Sequence, residues 1–242
     1  MRLFAKINRR LVGLSVFLFC MHIFLGGTLY AEQLHDTYES ARKKLAYNHL
    51  HDKGIKNKKV LDAIYTVKRH LFLPKILWSR AYQDIPLPFG EGYYAIEPSL
   101  VALIADTLAI KGEERILVIG TREGYLCAVL AQLAKAVYTI ETDYTLYRRA
   151  EIGFYAHRII NIWMRLSADY YSWQQGTVFD CIVVNGAVPE VPDKLFDLLK
   201  EGGVLIAPVG DQNGFQELIW IRKKNGQPEQ KVLGTVMFPP LQ

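Results

Sequence analysis

Ile116-Leu117-Val118-Ile119-Gly120-Thr121-Arg122-Glu123-Gly124-Tyr125 is the stretch whose reading decides the fold. Its four leading apolar residues read as a strand buried on both faces, and Leu126 to Ala134 reads as the helix that follows. A strand, a glycine turn and a helix make the first unit of a doubly wound α/β fold, in which a ligand lies over the turn. Gly120 supplies the turn, and Gly124 allows the helix to approach the strand closely. Arg122 stands where such loops usually carry a further glycine, and its long cationic side chain crowds a ligand that needs bare backbone.

The alternation continues outward from this unit. The pattern predicts strands near 115–120, 136–141, 161–166, 179–184 and 203–208, and helices near 123–134, 144–157 and 192–200. Gln216 to Arg222 and Lys231 to Phe238 read as a closing antiparallel pair. Upstream, Glu32 to Lys53 reads as a polar helix ending at Gly54, and Asn57 caps a second helix carrying Val60, Leu61, Ile64 and Val67. Pro74 stops it. Ala81 to Tyr94 reads as a loop punctuated by Pro86, Pro88, Gly90 and Gly92, and Pro98 opens a helix running to Ile110. The result is an α/β chain with a mostly parallel sheet covered on both faces.

The 242 residues are half hydrophobic, enough for one substantial core, and the formal charge is +5. That charge is unevenly spread. Arg2, Lys6, Arg9 and Arg10 precede any acidic residue, and without residues 1–31 the count is 25 basic against 24 acidic. This is no nucleic-acid footprint. The four cations lead into the apolar run Leu11 to Leu25 and then Gly26-Gly27-Thr28-Leu29-Tyr30-Ala31, the order of an export signal. An uncleaved membrane anchor is the alternative, because residues 11–31 are just long enough to span a bilayer. Both place the rest of the chain outside the cytoplasm, exported or periplasmic. The divisions are therefore 1–31 as signal or anchor, 32–80 as a helical cap and 81–242 as the α/β domain. Beyond the signal, Cys127 and Cys181 fall in apolar segments and read as core thiols whose pairing the spacing does not demand. His49 and His51 lie two apart on a helix and make a poor metal pair, so no metal site is expected. Ser99 lies one step inside a helix, where small polar residues are ordinary.

From about residue 42 to its end, the chain resembles the protein-L-isoaspartate O-methyltransferase family. Gly54-Ile55, Val60 to Ile64 and Val67 to Pro74 look like that family's N-terminal helices, with Lys68 where a proline is usual. Ala81-Tyr82-Gln83-Asp84-Ile85-Pro86-Leu87-Pro88-Phe89-Gly90 is similar to its substrate-side loop. Phe179 to Val184 and Leu199 to Gly210 look like its fourth and fifth strands, and Phe238-Pro239-Pro240-Leu241 like its C-terminal signature. The resemblance implies a Rossmann-like class-I methyltransferase fold and S-adenosylmethionine as cofactor. It implies damaged proteins or peptides as partners, methylated on the free carboxylate of an isoaspartyl residue. The ester then collapses to a succinimide, and no metal is needed.

Glu141 closes the second strand 21 residues after Gly120, where a carboxylate accepts the ribose hydroxyls of an adenosyl group. Gly120, Thr121, Gly124, Glu141 and Asp169 are the cofactor-binding candidates. Asp169, in Ala168-Asp169-Tyr170, corresponds to a family Gly-Asp-Gly turn beside the adenine, and a plain turn aspartate explains it equally well. No catalytic residue is assigned. Ile96 occupies the family's active-site serine position, and Val118 the acid that ends its first strand. Ile96, Arg122 and Tyr170 each add bulk where the family leaves space, and Tyr93, Tyr94, Tyr171 and Trp173 add aromatic material. From this pattern the sequence predicts weak or absent cofactor binding and lost or strongly weakened transfer, leaving a binding or structural module with an unidentified protein partner. The alternative is an active S-adenosylmethionine-dependent methyltransferase acting on isoaspartyl or other protein carboxylates.

Overall fold

A computed structural model describes residues 38–241, except 91 and 174–176. The signal or anchor reading of residues 1–31 lies outside the described residues. Among those described, no helix is long and apolar enough to cross a membrane. The chain divides into two units, with the boundary between Lys43 and Lys44. Residues 38–43 of the first are helical.

The second unit opens with a π-helical segment, Leu45–Leu50, and turns at Gly54, whose φ is +102°. Helix α1 (Lys58–Thr66) is capped as its sequence predicts, with the Asn57 side chain accepting from Lys59 N. Two 3-10 turns, Arg69–Phe72 and Lys75–Arg80, flank Pro74. The segment 81–94, read as a loop, contains strand β1 (Leu87–Gly90), which pairs antiparallel with β2 (Tyr93–Ala95). Its glycines are turn residues, with φ of +115° at Gly90 and +77° at Gly92. Helix α2 (Pro98–Thr107) follows with proline in its first turn.

Then come β3 (Arg115–Ile119), α3 (Tyr125–Ala131), β4 (Ala136–Glu141), α4 (Tyr144–Ala156) and β5 (Ile162–Leu166). The remainder is β6 (Phe179–Val184), α5 (Asp193–Asp197), β7 (Leu199–Gly210), β8 (Gln216–Lys224) and β9 (Gln227–Val236). Several boundaries depart from the pattern, among them strand β7, which runs over Leu199–Gly210 and not 203–208, and β9, which starts at Gln227. Helix α3 begins only at Tyr125, because Gly124 is its left-handed N-cap. Helix α5 is a single short turn, because Leu199 already pairs with Phe179 in the sheet. Strand β9 stops at Val236, and Phe238 is wholly buried beyond it.

The main sheet has the order β5-β4-β3-β6-β7-β8-β9. Its first five strands are parallel and the last two pairings antiparallel. Strand β3 is buried on both faces: Ile116 and Val118 join a core with α1, α2 and α3, while Leu117 and Ile119 join a second core with Leu195 and Leu198. Cys127 and Cys181 are both free and lie in the first of these cores. Burial pushes each thiol up to about 12.

Candidate functional site

After β3 the chain runs through β4 to β5 on one side, and β6 then returns to the other side of β3. The carboxyl ends of β3 and β6 therefore border the crevice where open α/β sheets hold ligands. At its floor, Gly120 (φ +84°) leads out of β3, and a Cβ there would meet the Leu241 side chain at 3.1 Å and Asn185 O at 3.3 Å. Asn185, just past β6, donates through Nδ2 to Gly120 O at 3.0 Å. Its buried Oδ1 has no partner.

Arg122 keeps the left-handed backbone that a glycine would take, with φ +53°. The loop thus follows a glycine's path in spite of the substitution. Its backbone N donates to Glu141 Oε2 at 2.6 Å. Thr142 N and Asp143 N donate to Oε1 at 2.9 and 3.1 Å. The carboxylate at the end of β4 is therefore what holds the β3–α3 loop in register. A carboxylate offers about four acceptor positions, so these three bonds leave Oε2 able to take one more donor. Burial pushes Glu141 up, while the three N–H groups and Arg122 pull it down.

Gly124 sets the other side of the loop. A Cβ there would lie 2.9 Å from Ala150 Cβ and 3.0 Å from the Phe154 ring, so the glycine permits contact with α4 and not, as the sequence suggested, with a strand. Thr121 turns its hydroxyl onto Thr139 at 2.7 Å, inside the core. Asp169 is exposed and its carboxylate accepts from Tyr171 N, the geometry of an Asx turn. Trp173 donates to Thr139 O and packs on Tyr138, in the second core and away from the loop. Tyr171 packs there too.

The β1–β2 hairpin lies along this crevice. Tyr93 donates to Asp143 Oδ2 at 2.7 Å, and Asp143 caps α4 by accepting from Leu146 N. Arg149 of α4 lies over the Phe89 ring. The hairpin's base is held from beneath by Arg69, which is wholly buried. It donates to Ala81 O at 3.0 Å, Gln83 O at 3.4 Å and Ile96 O at 2.9 Å. Asp84 accepts from Ser99 N and from Lys53, which fixes the same segment against α2. Ile96 and Val118 are buried in the first core, so neither position offers a polar atom from its side chain.

Three contributors escaped the sequence reading: Arg69, Glu123 and Asn185. Glu123 is fully enclosed, and burial pushes its carboxyl well up, against the pull of Arg122 and Arg69. A raised carboxylate stabilises the fold fully below the ordinary glutamate range, about 4.3, and that contribution is lost as pH climbs through the raised value. Glu123→Gln, neutral throughout, is therefore expected to flatten the decline in stability above that range. Urea melts across a pH series would show it. Parallel curves for the two proteins would mean that the two arginines already hold Glu123 ionised at no cost.

The polar set is suited to an adenosyl ligand in two respects: Oε2 of Glu141 has acceptor capacity for one more donor, and Asn185 Oδ1 has no partner. No group of three or more His, Cys, Asp or Glu among the described residues is arranged for a metal. A family model described as protein-L-isoaspartate(D-aspartate) O-methyltransferase matches residues 40–242. Protein-L-isoaspartate O-methyltransferase 2 of Shewanella sediminis is 38% identical over 206 residues, spanning 85% of this chain and 84% of its own. The Pelotomaculum thermopropionicum protein-L-isoaspartate O-methyltransferase is 40% identical over 207 residues, spanning 85% and 90%. A solved structure with the same fold is a Plasmodium falciparum beta-aspartate methyltransferase in complex with S-adenosyl-L-homocysteine. Its TM-score is 0.72 at 25% identity, covering 83% of this chain and 98% of that one.

Proposed function

We propose, for a chain that belongs to the protein-L-isoaspartate(D-aspartate) O-methyltransferase family, that it is an S-adenosylmethionine-dependent carboxyl O-methyltransferase of isoaspartyl-damaged or other proteins. The observation that carries this is the loop after β3, which keeps a ligand-binding backbone path, with Glu141 beneath it, although Arg122 replaces a glycine. The sequence-based expectation of weak or absent cofactor binding rested on that replacement together with Val118 and Tyr170. It finds no support in the relatives, and with φ +53° at Arg122 the backbone path of the loop survives the replacement.

When bound, S-adenosylmethionine supplies an electrophilic methyl group. The chain's part is positional. Glu141 Oε2 and Asn185 Oδ1 would hold the nucleoside side of the ligand by accepting from it, and Arg69 fixes the base of the hairpin through Ile96 O. The acceptor needs no general base, since the free α-carboxyl of an isoaspartyl residue, like a side-chain carboxyl, is already ionised at neutral pH.

A second reading, weakened or lost transfer, is favoured by the apolar side chains of Ile96 and Val118. Loss of one positioned polar group typically costs ~10²–10³ in rate. Radiolabelled methyl transfer to an isoaspartyl peptide separates the two. The first reading expects turnover by the native chain that falls at least about tenfold in Glu141→Ala. A silent native chain, revived by the combined Ile96→Ser, Val118→Glu and Arg122→Gly, would establish the second. Cell fractionation addresses the export expectation, which bears on access to a donor made in the cytoplasm.

A further inference from the structure

We propose that the Nε–Nη2 edge of Arg122 is a carboxylate-binding site inside the crevice; this rests on the carboxyl-methyltransferase reading and deepens it. Arg122 is 5% exposed, and both Nε and Nη2 are buried without a hydrogen-bond partner. These two nitrogens lie on one edge of the planar guanidinium, where their N–H bonds run parallel at the spacing of a carboxylate's two oxygens. Buried charged donors left unpaired are costly, so an edge of this kind calls for an acceptor.

The surroundings say where that acceptor comes from. The charge of Arg122 acts on Tyr94 of the hairpin, on Glu123 and Glu141, and on Tyr170 in the turn after β5. The side chain therefore lies within electrostatic reach of the hairpin, the end of β4 and the turn after β5. Neither nearby glutamate takes the edge. Glu141 spends its oxygens on Arg122 N, Thr142 N and Asp143 N, and Glu123 makes no ion pair with Arg122 among the described residues. The backbone of Arg122 is left-handed, with φ +53°, a conformation uncommon for a long side chain. Ile96, at the family's serine position, brings no donor, whereas Arg122 brings two. Recognition of a carboxylate has thus moved from residue 96 to residue 122.

Two carboxylates fit this chemistry: the free carboxylate of the isoaspartyl acceptor and that of the cofactor's amino-acid end. Calorimetry on the full chain tells them apart. One arm compares S-adenosylhomocysteine with 5′-methylthioadenosine, which lacks the amino-acid end. The other compares an isoaspartyl peptide with the same peptide carrying its free α-carboxyl as the amide. The native chain is expected to prefer the carboxylate form in one arm by about tenfold to a hundredfold. Arg122→Gln should abolish that preference, and Arg122→Lys, which keeps the charge but not the fork, should restore only part of it. Arg122→Gly suits the left-handed backbone and guards against a misfolded glutamine variant. Equal ratios in the native chain and in both neutral variants would overturn the proposal. Arg122-dependent preference in the peptide arm without nucleoside binding would keep this site and sink the cofactor reading. No binding in either arm would sink both.

Discussion

Gly124→Ala is expected to cost about 2–4 kcal/mol of stability, although it adds one methyl group. The residue's φ of +93° is disfavoured for any L side chain by about 1–2 kcal/mol. The new Cβ would also lie 2.9 Å from Ala150 Cβ and 3.0 Å from the Phe154 ring. Neither neighbour is a flexible tip, so α4 must shift bodily, and overpacking of this kind costs about 1–3 kcal/mol. Because α4 starts three residues after Glu141, the shift should also disturb the three bonds that hold the loop. Urea denaturation gives the stability directly. A loss under about 1 kcal/mol would mean that loop and helix separate freely, and the account of Gly124 as a contact residue would be wrong.

Arg69→Met is expected to destabilise by about 3–5 kcal/mol and to loosen the hairpin first. The substitution fills much of the same volume but removes every donor to Ala81 O, Gln83 O and Ile96 O. The two buried carbonyls, Ala81 O and Ile96 O, cost about 1–3 kcal/mol each when left unpaired, partly offset because a buried charge is removed too. It also leaves Glu123 with one fewer cation nearby. Limited proteolysis should therefore show cleavage within residues 81–96 before the sheet opens. Loss of stability with a hairpin as resistant as in the native chain would show that the clamp serves the core and not the roof.

The sheet was legible because parallel strands buried on both faces leave continuous apolar runs, as in Ile116 to Ile119 and Phe179 to Val184. Asn57 and Pro98 announced their helices by chemistry that acts within one turn. The hairpin at 87–95 was hidden by its own composition: Pro88, Gly90 and Gly92 read as loop residues, yet the glycines are the turn and the proline lies in a short two-stranded ribbon. Glu141 and Gly120 could be found by spacing alone. Arg69 could not, since a cation is normally a surface residue and its three acceptors come from segments 12 to 27 positions away. One signal did exist for it: Arg69 lies between Val67 and Leu71 in a run otherwise destined for the core. For Glu123 the signal was two adjacent charges within a glycine turn, where small residues are the rule.

Cys127 on α3 and Cys181 on β6 belong to one core although they lie on different layers, and both are shut away as thiols. Neither ionises at ordinary pH, so alkylating reagents reach them only when a helix layer lifts from the sheet. The molecule thus carries two clocks. In a chain with Cys20 replaced, the rate at which each sulfur is modified under native conditions times the opening of its own layer. A common rate would mark cooperative unfolding of the whole unit, and separate rates would mark a helical face that breathes independently of the strands.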